Sequence, residues 1–107
     1  MVYYQLLLYN WDFDINVIIK YINQLIGPLY ISIDIDALDP SCAPGVSHHE
    51  PGGIMTRDLL SILQNIDIEV IGADIVEYNP SRDINHMTAM VAYKLFKEVF
   101  ALMVWYR

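Results

Sequence analysis

Two aspartates one residue apart, Asp34 and Asp36, close the β-branched run at residues 29–36 (LYISIDID). Side chains two apart on a strand project to the same face. Both carboxylates are therefore expected to point together at the strand's carboxyl end. Like charges held that close disfavour each other's ionisation. A divalent cation removes the conflict, and hard oxygen donors suit Mg²⁺, Ca²⁺ or Mn²⁺ rather than a thiolate-seeking metal. Taken alone, a D-x-D also reads as loop capping or as solvated charge. A third carboxylate, Glu77, ends a second apolar run at residues 69–76 (EVIGADIV) and precedes Tyr78-Asn79-Pro80. At the same sheet edge it can grip a cationic substrate by paired hydrogen bonds, or it can cap the loop. Asp74, three residues back, falls on the opposite face of the strand and is expected to pack or bond elsewhere.

Between the two runs lies a long loop, residues 37–53, holding Pro40, Pro44, Pro51 and Gly45, Gly52, Gly53. Loops of this length inside compact domains are uncommon and often functional. Asp39-Pro40 reads as a turn, with the aspartate bonding nearby backbone and the proline fixing φ. Ser47-His48-His49-Glu50 sits between turn signals, where the histidines can line a pocket, reach a metal or do neither.

The elements that must position these groups follow from periodicity. Asp14 can cap a helix whose apolar stripe is Ile15, Ile18, Ile19, Ile22, Leu25 and Ile26, stopped by Gly27-Pro28. Thr56 can cap a second helix carrying Leu59, Ile62, Leu63 and Ile66. A third is predicted over residues 86–103, with Ala92, Leu95, Phe96, Val99 and Met103 on one stripe. Residues 1–9 are rich in Tyr and Leu and read as a possible strand. The order strand, helix, strand implies a βαβ crossover and a parallel sheet. In such sheets ligands sit beyond the carboxyl ends of the strands, which is where the unusual residues fall.

Composition narrows the classes. The chain has 107 residues, room for one small domain, and is 55% hydrophobic, as expected of a piece of a larger core. No run reaches the ~18 uncharged apolar residues of a membrane span, since Lys94, Lys97 and Glu98 interrupt the most apolar stretch. A net charge of -7 argues against nucleic-acid binding and suits a metal or a guanidinium. Cys42 is the one cysteine, so no internal disulfide forms and nothing points to secretion. The start shows neither a signal-peptide pattern nor an Arg-rich transit peptide.

Read together, S-I-D-I-D-A-L-D-P-S-C-A-P-G, then E-P-G-G, then G-A-D-I-V-E-Y-N-P resemble the ureohydrolases: arginase, agmatinase and their relatives. The likeness runs from about Tyr30 to Met103. V-S-H-H-E-P-G-G and N-P-S-R-D-I-N-H-M-T-A-M-V-A look most like plant-type arginases. The resemblance implies an α/β fold, part of a three-layer α/β/α sandwich around a parallel sheet, with residues 14–107 as the C-terminal part of the domain and residues 1–13 unassigned. It implies hydrolysis of a guanidino substrate, L-arginine to L-ornithine and urea, at a binuclear Mn²⁺ site that lowers the pKa of a shared water. Asp34 matches the aspartate bridging both ions and Asp36 the one chelating one of them. Glu77 matches the glutamate that holds the guanidinium. His48 stands where many relatives carry a pocket threonine. A homo-oligomer, trimer or hexamer, is implied for the complete family member, with an intracellular and, if plant-type, mitochondrial location.

The family's upstream G-G-D-H and D-A-H-x-D motifs do not occur here, and none of His48, His49 and His86 sits in a matching motif. Asp34 and Asp36 are therefore expected to be only part of a ligand set, and no catalytic residue is assigned. A truncated, inactive paralogue that joins full-length subunits is the non-enzymatic alternative, and agmatine is the alternative substrate. A Mg²⁺-dependent phosphoryl-transfer domain would need a phosphate-cradling glycine loop and lysine, both missing.

Overall fold

A computed structural model describes residues 14–104. The predicted strand over residues 1–9, and the unassigned segment 1–13 that contains it, lie outside the described residues.

The chain starts with α1 (Ile15–Asn23), opened by Asp14, whose carboxylate accepts the Asn16 N–H at 2.9 Å. Its stripe Ile15, Ile18, Ile19, Ile22 and Leu25 packs with Leu29, Ile62 and Val70. Asn23 then fastens the end of α1 to a distant loop: its Nδ2 donates to Asn65 O at 2.9 Å and its Oδ1 accepts from Asp67 N at 2.7 Å. After Gly27-Pro28 comes β1 (Leu29–Asp34), then a short 3₁₀ turn (Ile35–Ala37). Following the long loop, α2 (Thr56–Gln64) leads to β2 (Val70–Val76), a second 3₁₀ turn (Pro80–Arg82) and the long α3 (Met87–Val104).

β1 and β2 pair in parallel, with Ser32 opposite Asp74 and Asp34 opposite Val76, as the strand–helix–strand order implied. A register shift between Leu29 and Tyr30 passes over Ile71 and sets Tyr30 against Gly72. A Cβ at Gly72 would lie 2.9 Å from the Tyr30 ring, so a larger residue there would have to displace that ring. Ile31, Ile33, Ala73 and Ile75 share one face and join Leu60, Leu63, Leu95 and Val99 in the main core. α2 packs on both α1 and α3, and α3 on β2. The other face carries Tyr30, Ser32 and Asp74: the Ser32 hydroxyl and the Tyr30 hydroxyl donate to the two Asp74 oxygens at 2.6 and 2.9 Å. Asp74 thus bonds away from Glu77, as its strand position required.

Four boundaries differ from the sequence reading. β1 ends at Asp34, not at 36, because Asp34 turns its carboxylate back onto the Asp36 N–H at 2.8 Å and starts the 3₁₀ turn. The cap position of α2 is Met55. Thr56 enters the first turn, where its hydroxyl is buried without a partner. β2 and α3 each begin one residue later than expected, at Val70 and Met87.

α3 is apolar on two sides. Leu95 and Val99 are buried, yet Met90, Tyr93, Phe96 and Phe100 stand exposed on the outer side, with the Phe96 and Phe100 rings stacked at 6.0 Å. No described helix is long and apolar enough to cross a membrane.

Candidate functional site

The site grows from the carboxyl edge of the two strands. Asp34 ends β1, Asp36 follows in the 3₁₀ turn, and Glu77 is the first residue beyond β2. Asp36 does not reach this edge by strand alternation, as the sequence suggested. The turn brings it there, with Asp34 bonding its N–H. Asp36 carries the clearest electrostatic signature. Burial pushes its carboxyl above the usual range, and the neighbouring charges of Asp34 and then Glu77 push the same way, while His48 opposes them. Asp36 Oδ1 is buried and has no hydrogen-bond partner. His48 Nδ1 lies 3.9 Å from Asp36 Oδ2, with its ring 85% exposed. Four of the sequence-singled residues, Asp34, Asp36, Glu77 and His48, therefore share one neighbourhood. His49 turns away and its Nε2 meets Pro44 O at 2.8 Å.

Glu77 has φ 73. The left-handed region costs a non-glycine residue roughly 1–2 kcal/mol. Such strain persists only where the surroundings over-determine it. Here both flanks are tied down: before it Val76 pairs with Asp34 in the sheet, and after it Tyr78 pairs with Val46 in an antiparallel bridge and Asn79 N donates to Gly45 O at 2.7 Å.

The long loop is built by one side chain whose reach the sequence did not reveal. Asp39 accepts from Ser41 N at 3.0 Å and from the Ser41 hydroxyl, then from Gly52 N at 2.9 Å and Gly53 N at 3.1 Å. The Ser41 hydroxyl and N–H hold its carboxyl below the usual range, with the glycine N–H groups adding to this. A turn aspartate was expected. The closure onto Gly52-Gly53 was not, and the only signal for it was the glycine pair thirteen residues on. The loop base is zipped by Asp39 N to Ile54 O and Ile54 N to Ala37 O, both 2.9 Å. Gly53 is obligatory there, because a Cβ would meet backbone atoms of Ala37, Leu38 and Asp39 at 2.8 Å.

Chemically, the edge offers crowded oxygen donors, one of them buried and unpaired, with a further carboxylate beside them. A divalent cation fits Asp34 and Asp36, since it would satisfy Asp36 Oδ1 and cancel the repulsion. The fit is partial: among the described residues no group of three or more His, Cys, Asp or Glu could hold a metal ion.

Comparison with known proteins agrees with the pattern. The Arginase family model matches residues 9–101. The mitochondrial arginase of Medicago truncatula is 59% identical over 76 residues, covering 70% of this chain and 22% of the relative. The agmatinase of Chromobacterium violaceum is 39% identical over 95 residues, 86% of this chain and 30% of the relative. Among solved structures, the proclavaminate amidino hydrolase of Streptomyces clavuligerus superimposes with a TM-score of 0.79 at 30% identity, over 84% of this chain and 32% of that one. The chain thus spans between a fifth and a third of the length of these proteins. The motif order, the parallel strand pair and the family match together show that this chain belongs to the Arginase family.

Proposed function

We propose that this chain is the part of an arginase-type ureohydrolase that supplies the carboxylate edge of its active site. The observation that carries the reading is the convergence of Asp34, Asp36 and Glu77 at one strand edge, with Asp36 Oδ1 buried and unpaired. Asp34 and Asp36 would hold Mn²⁺ through their carboxylates. A bound Mn²⁺ pair supplies a water acidic enough to ionise near neutral pH. Glu77 takes the substrate guanidinium by charge-assisted hydrogen bonds and orients its carbon toward the metal edge. His48, exposed above Asp36, lines the pocket. The remaining metal ligands belong to the part of the family fold that this chain does not span, and the reaction is hydrolysis of L-arginine to L-ornithine and urea.

The similarity to plant arginases favours arginine, while the agmatinase likeness over a longer stretch keeps agmatine as the second substrate. The same similarity favours a mitochondrial setting, since relatives of that kind carry mitochondrial names. A homo-oligomer, trimer or hexamer, is the assembly proposed for the complete subunit. The exposed aromatic side of α3 supports association of some kind. The acidic net charge speaks against a nucleic-acid partner.

The test is a chimera in which residues 30–103 replace the matching segment of the Medicago truncatula arginase. Urea release from L-arginine, lost on Asp34→Ala and on Glu77→Gln, is expected. The unfused 107-residue chain is expected to release none. A folded, Mn²⁺-loaded chimera without urea release from either arginine or agmatine would sink the reading in favour of an inactive paralogue.

A further inference from the structure

Asp83 lies outside the carboxylate edge and has no part in the proposed chemistry, yet it gathers more bonds than any residue near it. Its Oδ1 accepts from Ile84 N at 2.8 Å and Thr88 N at 2.9 Å. Its Oδ2 accepts from Ala89 N at 3.0 Å and from the Tyr78 hydroxyl at 2.9 Å. The backbone bonds serve the start of α3, where exposed N–H groups and the helix dipole both favour a carboxylate. The Tyr78 bond does something else, because Tyr78 directly follows the left-handed Glu77.

A second connection runs through Thr88. That side chain is fully buried, and its Oγ1 accepts from Gly45 N at 2.7 Å. Gly45 O in turn accepts from Asn79 N at 2.7 Å, and Asn79 Nδ2 donates to the Ser47 hydroxyl at 3.0 Å. The contact is close-fitted: a Cβ at Gly45 would come within 2.9 Å of Thr88 Oγ1 and 3.0 Å of the Asp83 side chain. Asp83 and Thr88 thus join three pieces of chain: the start of α3, the loop that leads to His48, and the segment that carries Glu77. Burial works to raise the Asp83 carboxyl, but the N–H groups of Thr88 and Ala89 and the hydroxyls of Thr88 and Tyr78 hold it well below the usual range. It is therefore a fixed anion throughout the neutral range.

We infer that Asp83 is a positioning residue: through the Tyr78 hydroxyl it holds Glu77 in its left-handed conformation over the Asp34–Asp36 edge. The inference rests on the guanidinium role proposed for Glu77, but its geometric part stands by itself. Tyr78→Phe removes the link to the Glu77 segment and leaves every backbone bond to α3 in place. Asp83→Asn removes a charge serving both.

The experiment is NMR on the 107-residue chain and both variants. The first readout is the strong intraresidue HN–Hα NOE at Glu77 that marks a left-handed backbone. The second is a methylguanidine titration. The third is amide-exchange protection in α3. In wild type the NOE is present and methylguanidine shifts the Glu77 signals saturably. In Tyr78→Phe the NOE weakens and the methylguanidine Kd rises roughly 10-fold, while α3 protection is unchanged. Asp83→Asn changes all three. A Tyr78→Phe chain with the wild-type NOE and affinity would overturn the inference and leave Asp83 as a cap of α3 alone. A wild-type chain that binds no methylguanidine would remove the guanidinium role of Glu77, while the NOE comparison would still decide whether Asp83 places it.

Discussion

At the edge of the sheet, Asp36 pays a stability cost that a cation would repay. Its carboxylate is partly buried, faces Asp34 and Glu77, and leaves Oδ1 unpaired. Asp36→Asn should therefore stabilise the metal-free chain, by on the order of 0.5 kcal/mol, and remove any rise in Tm on adding Mn²⁺. Thermal unfolding with and without Mn²⁺ checks both halves, and a variant still stabilised by Mn²⁺ would contradict the ligand role. Glu77 makes a parallel case through its backbone. Glycine enters the left-handed region freely but loses about 0.5–1 kcal/mol in chain entropy on folding, against the roughly 1–2 kcal/mol that glutamate spends there. Glu77→Gly should stabilise the chain by about 0.5–1 kcal/mol while removing urea release from the arginase chimera. Chemical denaturation gives the first number and the urea assay the second.

Among the elements, the loop between β1 and α2 is the one whose order the sequence underrates. Its prolines and glycines mark turns, but Asp39 makes them one unit by accepting from Ser41, Gly52 and Gly53. Gly53→Ala would drive a methyl group into the backbone of Ala37, Leu38 and Asp39 at 2.8 Å, with no flexible side chain to give way. A loss of about 1–3 kcal/mol is expected, read from the denaturation midpoint, together with faster amide exchange at Ile54. An unchanged midpoint would mean that the loop base opens without cost. The helices behaved more simply. α1 followed its Asp14 cap and its stripe from Ile15 to Ile22, because both act within the element, but it ends at Asn23 and leaves Ile26 exposed, as α3 leaves Phe96 of its expected stripe. The Thr56 cap failed because the loop enters α2 at Met55, an angle set by the Ala37–Ile54 pairing rather than by local preference.

For the molecule as a whole, pH dependence sums opposing carboxylates. Asp39 and Asp83 are held below the ordinary value of 3.8, so the folded chain binds their protons less readily than the unfolded chain. Their stabilisation is complete above that value and is lost as pH falls below it. Asp36 is raised and acts in reverse, its penalty relieved as pH falls through its elevated range. Stability should accordingly change little on mild acidification and fall steeply below about pH 4. In Asp83→Asn the steep part should be shallower, which thermal melts across that range would show. A wild-type chain as stable at pH 2 as at pH 6 would refute the bonding assigned to both aspartates.

The family and the parallel pairing could be read from the chain alone, because motif order and element order are written along it, whereas Asp36 reaches the edge by a turn that strand periodicity did not foretell. Asp34 and Glu77 stand at their edge simply because each ends an apolar run. The partners of the other aspartates could not be read that way. Asp39 finds its glycines across a loop, Asp74 finds Ser32 and Tyr30 across the strand pair, and Asp83 finds Tyr78 and the start of α3. A carboxylate's hydrogen bonds depend on which N–H and O–H groups the fold brings within about 3 Å, and no spacing along the chain records that. The left-handed turn at Glu77 has the same origin, since its neighbours are held by groups from elsewhere in the fold, Val76 by Asp34 before it and Tyr78 by Val46 and Asp83 after it.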